Sequence, residues 1–353
     1  MSRAAGAKSS NRRASQSIDA FFPRGCRPGG HHIYGGVRMK PLFALLWSVL
    51  LVSSAPAMAA SAYPERAIRW IVPFTAGGPA DAIARLLVPK LSQELGQPIV
   101  IENRAGANSN IGHEAVARAE PDGYTILYVV PNVVTNPSLY NVAVDPVKEL
   151  TPVVQLTAQA YLLLAGSAFK PASVADIVAK ARQGGVTCAS GGGLSGFGCD
   201  WLRSMTKADF VHVPFKGNAQ ALTALMGGQV DIMIDLFNTA LPQVKAGRVR
   251  PVALTRAERG SPLPDLPIIA ETLPGFVLVG WHGVMAPHGT PEPIVKKLNM
   301  AFTKALGDPD IRRRIEESYI EVVHGTPADF GRVITEDLDK YARITQAAGI
   351  ARQ

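Results

Sequence analysis

Short apolar runs alternate with longer segments of helical periodicity along most of the chain. The run AIRWIVPF, residues 67–74, precedes PADAIARLLVPKLSQELG, in which apolar side chains recur at every third or fourth position between Pro79 and Gly96. A proline in the first turn and a glycine after the last turn are the signals expected at the two ends of a helix. The first two elements are therefore predicted to be a buried strand and an amphipathic helix.

The alternation continues to about residue 255. Further strands are predicted for PIVIEN, YTILYVV, VTCAS, FVHVPF, VDIMIDL and VRPVALT, and a long extended stretch for residues 150–165. Helices are predicted for ANSNIGHEAVARA, SVADIVAKARQGG and NAQALTALMGGQ and around residues 201–207, whereas PNVVTNPSLY is predicted to be a loop. Three helical patterns follow one another after residue 288. Short strands that alternate with helices indicate parallel βαβ units and an α/β fold.

Charge is distributed unevenly along the chain. The formal net charge is +8, from 36 basic and 28 acidic residues, but residues 1–59 hold eight of the basic residues and only one acidic residue, Asp19. Residues 60–353 therefore carry 28 basic and 27 acidic residues. The positive excess belongs to the N-terminal segment, so the body of the chain gives no reason to expect a nucleic-acid partner.

The N-terminal segment has the pattern of an export signal. Met39 and Lys40 precede the apolar stretch PLFALLWSVLLV, and Ala57-Met58-Ala59 offers a small-x-small cleavage site. We expect residues 1–59 to be a leader, with a signal peptide over residues 39–59 and translation that starts at Met39. The mature protein is expected in the periplasm.

Two cysteines remain after such a cleavage, Cys188 and Cys199. An even pair in an exported chain favours a disulfide, and ten intervening residues make a feasible loop. Two small buried thiols are the alternative.

Two glycine-rich segments lie where predicted strands meet predicted helices. Gly77 and Gly78 precede the first helix, and SGGGLSGFG, residues 190–198, follows a later strand. Asp235 also ends a predicted strand. Ligands of α/β sheets bind beyond the carboxyl ends of strands, and backbone N–H groups at helix N-termini hold anions without Arg or Lys. We expect the two turns to bind an anion, a carboxylate in particular.

The chain lacks the sequence patterns that several other functions require. Gly191, Gly193 and Gly196 fit G-x-G-x-x-G, but about 20 residues further on stands Lys216 in place of the acid that dinucleotide binding requires. Neither glycine segment is followed by Gly-Lys-Ser/Thr, and the histidines after the leader are single, without the spacing of a metal site. We expect no cofactor, no metal and no catalysis. A serine hydrolase that uses Ser195 is kept as an alternative, although Ser195 lacks a G-x-S-x-G elbow.

Six segments together resemble a known family. In chain order they are YPERAIRWIVPFTAGGPADAIARLL, GQPIVIENRAGANSNIG, PDGYTILYV, NPSLY, VHVPFKGNAQALTALMGGQVDIMID and GWHGVMAPHGTPEPIVKKLN. They resemble the extracytoplasmic receptors of tripartite tricarboxylate transporters, the Bug-type binding proteins. The resemblance covers nearly the whole chain from about Tyr63. The combination is specific, although no single segment would be.

The resemblance implies a two-lobed type 2 periplasmic-binding-protein fold with a ligand cleft between the lobes. Lobe one would comprise residues 60–161 and 282–353, and lobe two residues 162–281, with hinge strands near residues 162–165 and 277–281. It also implies a monomeric receptor that closes on a small carboxylate and presents it to a membrane permease. A soluble partner that carries the ligand to a kinase ectodomain would use the same binding chemistry, and the sequence does not separate the two.

The resemblance also implies which residues contact the ligand. In the first turn they are Phe74, Ala76, Gly77, Gly78 and Asp81, largely through backbone N–H groups and bridging water. Asp81 has a second interpretation, as a first-turn acid that stabilises the helix dipole. In the second turn the implied contacts are Ser190, Gly193, Ser195 and Gly196, with Phe197 lining the pocket and with Lys216 and Asp235 at the cleft rim.

The second turn departs from the family pattern. Trp201-Leu202 stands where His-Leu is expected, and the glycine spacing permits more than one register. Selectivity depends on side chains that face the other end of the ligand, and the sequence does not locate them.

Overall fold

The computed structural model describes residues 63–259, 263–350 and 352. The expected signal peptide, its cleavage site and the start at Met39 lie outside these residues.

Strands and helices alternate through the described chain. The strands are β1 (Ile68–Val72), β2 (Ile99–Asn103), β3 (Thr125–Val129), β4 (Leu150–Gly166), β5 (Val186–Ser190), β6 (Phe210–Pro214), β7 (Ile232–Leu236), β8 (Val249–Leu254), β9 (Val279–Pro287) and β10 (Glu321–Val322). The helices are α1 (Pro79–Leu95), α2 (Asn110–Ala117), α3 (Asn132–Leu139), α4 (Val174–Gln183), α5 (Gly193–Thr206), α6 (Asn218–Met226), α7 (Phe237–Lys245), α8 (Glu292–Leu306), α9 (Pro309–Glu316) and α10 (Pro327–Ala347).

The long strand β4 joins two groups of strands in the order β2-β1-β3-β9-β4-β7-β5-β6. Up to Ala160 it pairs antiparallel with β9, which leads through β3 to the parallel strands β1 and β2. Beyond Ala160 it pairs antiparallel with β7 and β8, and β7 leads to the parallel strands β5 and β6. The predicted α/β class is confirmed. The predicted parallel units hold for β1 with β2 and β3 and for β5 with β6 and β7, whereas β8, β9 and β10 pair antiparallel with β4.

Aromatic side chains tie the C-terminal helices to the first group of strands. Trp70 on β1 packs edge-on against Phe302 on α8, with ring centroids 5.1 Å apart. Trp281 on β9 packs in the same way against Phe330 on α10, at 5.4 Å. The three predicted C-terminal helices are confirmed as α8, α9 and α10. The predicted lobe boundaries stay a prediction.

Two elements differ from the expectation. Residues 132–139, predicted to be loop, form α3, although the helix contains Pro137 and residues of low helix propensity. It is stabilised by burial of Val133 and Val134 and by a hydrogen bond from Asn136 Nδ2 to the carbonyl oxygen of Asn108, 2.8 Å away. Helix α5 begins at Gly193, eight residues before the predicted helix, so most of the glycine-rich segment is helical.

The predicted disulfide between Cys188 and Cys199 is confirmed. It links the strand β5 to the helix α5, and the Cα atoms are 5.8 Å apart, which is the usual separation. Of the helices in the described ranges, none is both long and apolar enough to cross a membrane.

Candidate functional site

A cavity of about 410 Å³ lies where the two groups of strands meet, a volume suited to a small organic molecule. Its walls come from the loops and helices that follow β1, β2, β3, β5 and β6, from the end of β7, and from β4 and β9. The lining residues are Phe74, Thr75, Gly78, Pro79, Ala80, Asn108, Val130, Pro131, Asn132, Thr135, Asn136, Leu139, Tyr140, Gln159, Tyr161, Gly192, Gly193, Leu194, Ser195, Asn218, Leu236, Gly280, Trp281 and His282.

The lining is uncharged at neutral pH. Among these residues there is no Asp, Glu, Lys or Arg. Burial lowers the pKa of the one histidine, His282, to about 4, so its imidazole is neutral. A ligand anion in this cavity would be held by dipoles and hydrogen bonds.

Those dipoles come from helices that begin at the cavity. Ala80, Asn132, Gly193 and Asn218 lie in the first turns of α1, α3, α5 and α6, and all four line it. The N–H groups of a first turn have no carbonyl partner within their own helix, and the N-terminus carries partial positive charge. The convergence of four helix N-termini makes the cavity favourable for an anion although it holds no cationic side chain.

In the first turn, the N–H groups of the two glycines already have partners. Gly77, at φ +81°, donates to the carboxylate of Asp81 at 2.9 Å, and Gly78 donates to the carbonyl oxygen of Thr75 at 3.3 Å. Pro79 has no N–H, so the first N–H of this turn that remains for a ligand belongs to Ala80. Phe74 and Gly78 line the cavity, whereas Ala76, Gly77 and Asp81 do not.

Asp81 organises this turn from behind. The residue is 1% exposed, and its side chain also accepts hydrogen bonds from Arg85 Nε at 2.7 Å and Asn103 Nδ2 at 3.0 Å. The bond from Arg85, followed by those from Gly77 and Asn103, outweighs burial and lowers the pKa of the Asp81 carboxyl to about 2. This geometry supports the structural interpretation of Asp81.

In the second turn, Gly192 has φ +93° and is the N-cap residue of α5. Gly192, Gly193, Leu194 and Ser195 line the cavity. The hydroxyl of Ser195 donates to the backbone carbonyl of Ile234 and fixes the start of α5 on β7. A hydroxyl held in this way has no histidine to activate it, which removes the basis for a hydrolase that uses Ser195.

A second serine has a histidine partner but no access to the cavity. Ser190 Oγ lies 2.7 Å from His212 Nε2, and His212 Nδ1 lies 3.3 Å from Asp200 Oδ2, the order of a catalytic triad. Ser190 is 1% exposed and lies outside the cavity lining. Gly196 also lies outside the lining, and the side chains of Ser190 and His212 pack beside it. The arrangement anchors α5 to β5 and β6.

Three other residues expected at the site lie outside the lining. Phe197 is buried and packs edge-on against Tyr341 on α10, at 4.9 Å. Lys216 is exposed. Asp235 is buried behind the cavity, where it accepts hydrogen bonds from Asn218 Nδ2 at 2.6 Å, from the Leu236 N–H and from the Thr239 hydroxyl; burial raises its pKa.

The structure adds polar lining residues that the sequence interpretation missed. They lie on α3, on the central strands and at the start of α6, and include Asn132, Thr135, Asn136, Gln159, Asn218 and His282. Two asparagines in the short segment PNVVTNPSLY are a local signal for part of this set. Gln159 and His282 have no such signal, because the pairing of β4 with β9 alone brings them to the cavity.

No group of three His, Cys, Asp or Glu side chains that could hold a metal ion occurs within residues 63–259 and 263–350.

Comparison with known proteins gives a family match. The family described as the tripartite tricarboxylate transporter family receptor matches residues 83–350. Among solved structures, Rpa4515 of R. palustris with adipate is 34% identical, with a TM-score of 0.70, and covers 82% of this chain and 100% of its own. MatC (Rpa3494) from Rhodopseudomonas palustris with bound malate is 35% identical, with a TM-score of 0.66, and covers 80% and 99%.

The structure of the periplasmic binding protein BugD is also similar. It is 33% identical, with a TM-score of 0.68, and covers 82% of this chain and 100% of its own. These likenesses confirm the two-lobed periplasmic-binding-protein fold and the resemblance to Bug-type receptors.

Proposed function

The chain belongs to the tripartite tricarboxylate transporter receptor family, and on that premise we propose that it captures a small carboxylate in its central cavity and delivers it to a membrane permease. Members of this family are solute-binding receptors and not enzymes. We further propose that the receptor acts as a monomer in the periplasm, after removal of a signal peptide.

The observation that carries the proposal is the uncharged cavity at which four helices begin. Each helix N-terminus contributes about 0.3–1 kcal/mol to an anion, and up to about 2 kcal/mol where the anion is partly buried. The adipate and malate complexes of the two similar proteins support a carboxylate as the ligand. Strand β4 runs through both groups of strands, and β9 pairs with its first part. The two strands are therefore suited to act as a hinge when the cleft closes on the ligand.

A screen of carboxylates tests the proposal. The mature protein is mixed with dicarboxylates, hydroxy acids, amino acids and aromatic acids, adipate and malate included, and its thermal unfolding is recorded. A ligand at 100 times its Kd adds about 2.7 kcal/mol to the free energy of unfolding and raises the Tm. A protein whose Tm responds to none of these acids contradicts the proposal.

Two variants then locate the site by calorimetry with the best acid. Gly78→Val adds a branched side chain to a lining residue, at a backbone φ of −76° that valine tolerates, although its Cβ lies 3.3 Å from the Thr75 carbonyl oxygen and the turn must shift slightly. The variant should weaken binding about tenfold or more. Lys216→Ala is the control, because Lys216 is exposed and outside the lining. If Lys216→Ala abolishes binding while Gly78→Val binds normally, the anion is held by a side-chain charge elsewhere.

A further inference from the structure

His282 lines the cavity, and one of its ring nitrogens is held by a neighbouring strand. The residue lies on β9 in the cavity lining. Its Nδ1 lies 2.9 Å from Thr157 Oγ1 on β4, and the ring of Tyr128 packs against the imidazole with centroids 5.6 Å apart. Because Nδ1 faces Thr157, Nε2 is the nitrogen that remains for a ligand.

Thr157 determines which nitrogen of His282 carries the proton. The threonine is completely buried, and the imidazole is the one hydrogen-bond partner of its hydroxyl within the described chain. A buried hydroxyl proton without an acceptor is costly, so this hydroxyl donates to Nδ1. The imidazole is neutral, since burial lowers its pKa to about 4, and its single proton therefore resides on Nε2.

We propose that His282 donates its Nε2–H to a second oxygen of the bound acid. By this contact the receptor selects acids that carry an oxygen acceptor beyond the carboxylate held at the helix termini, in preference to acids whose far end is only an alkyl or an ammonium group. The inference rests on the proposed function and names the substrate class and the selecting residue.

The two rejected classes fail for different reasons. An alkyl end that displaces water from the cavity leaves the Nε2–H without a partner. An ammonium end is itself a hydrogen-bond donor and therefore cannot accept from the Nε2–H of His282. The lining also holds no carboxylate to neutralise the ammonium charge. Asp235 does not supply one, because it is completely buried and already accepts hydrogen bonds from Asn218, Leu236 and Thr239.

The tautomer is measured first, without any ligand. Protein with ¹⁵N-labelled histidine is examined by NMR, and the His282 signals are assigned by their loss in His282→Gln. We expect the proton on Nε2 in the wild type and a mixture of the two tautomers in Thr157→Val, which lacks the hydroxyl. A wild-type imidazole protonated on Nδ1 overturns the inference, whether or not any acid binds.

Selectivity is measured by calorimetry with adipate, hexanoate and ε-aminohexanoate, which share a chain length and differ at one end. We expect the wild type to bind adipate about tenfold or more tightly than hexanoate, and ε-aminohexanoate most weakly. His282→Phe should bring the adipate-to-hexanoate ratio close to one, and His282→Gln, which keeps an N–H donor, should retain part of it. His288→Phe, the same change at an exposed histidine, should leave the ratio unchanged.

The outcomes separate this inference from the proposed function. If the screen returns a different acid, the comparison uses that acid and its analogue without the second oxygen. A wild type that binds both acids equally, or a His282→Phe variant with an unchanged ratio, overturns the role of His282 and leaves the receptor function standing. If no carboxylate binds, the proposed function fails, and the NMR measurement still shows which ring nitrogen of His282 carries the proton.

Discussion

Gly77 and Asp81 form a turn that depends on both residues. Gly77 adopts φ +81°, which residues with a Cβ rarely adopt, and its N–H is bound by the Asp81 carboxylate. Gly78, next in the chain, has an ordinary extended conformation and lines the cavity. The sequence identifies this turn, but it does not distinguish the glycine that shapes the turn from the glycine that faces the ligand.

Asp81→Asn tests the structural role of this carboxylate. The substitution sets an amide NH₂ group against at least one of the donors from Gly77, Arg85 and Asn103, so a buried donor loses its acceptor. We expect the free energy of unfolding in urea to fall by about 1–3 kcal/mol. Asp310→Asn, an exposed first-turn acid of α9, is the control and should change it by less than about 0.5 kcal/mol. Equal small effects would show that Asp81 does not hold the turn.

Elements with a strong local pattern are predictable here, and elements that depend on distant contacts are not. The strands β1, β3, β5 and β7 are short runs rich in apolar residues, so the sequence predicts them. Helix α3 depends on buried contacts and on Asn136 bonding to Asn108, 28 positions away, and its sequence alone indicates a loop. The sequence therefore does not predict the cavity wall that α3 contributes, whereas it does predict the two glycine turns.

The disulfide is an element-scale constraint, because it fixes α5 to β5. In the double variant Cys188→Ala/Cys199→Ala we expect the free energy of unfolding to fall by about 2–4 kcal/mol, since the unfolded chain gains freedom. Carboxylate affinity should change little, because Ser195 still anchors the start of α5 to Ile234. The checks are urea unfolding and calorimetry, with reduced wild-type protein as the matched comparison. Unchanged stability contradicts the expectation.

At the scale of the whole molecule, two buried histidines make stability depend on pH. Burial lowers the pKa values of His113 and His282 from 6.5 to about 4. Between these values the unfolded chain binds protons that the folded chain does not, so the free energy of unfolding decreases as the pH falls from about 6.5 to about 4. The expected slope is about 1.4 kcal/mol per pH unit for each histidine.

Urea unfolding at several pH values between 7 and 4 measures this slope. The double variant His113→Gln/His282→Gln should show a shallower dependence than the wild type. The difference in slope between the two proteins measures the contribution of the histidines alone. The raised pKa of Asp235 makes the free energy of unfolding increase as the pH falls, and this contribution is the same in both proteins. Parallel curves for the two proteins would show that these histidines do not account for the pH dependence.

The candidate site is assembled by a change of partner strands along β4. Alternation of strands and helices predicts an α/β chain, but the cavity exists because β4 exchanges β9 for β7 and β8 along its length. Residues as distant in sequence as Phe74, Gly193 and His282 then line one space. No local sequence pattern predicts that these residues come together. Only the resemblance of the whole chain to a family indicates it.

If backbone N–H groups at helix termini hold the carboxylate, amide NMR detects the contact. Labelled protein is titrated to saturation with the acid that the screen returns, and the amide signals of Ala80, Gly193 and Leu194 are followed. We expect downfield shifts of these amide protons, because each gains a charged acceptor, together with wild-type affinity in Lys216→Ala. Saturation that leaves all three amides unmoved would contradict it.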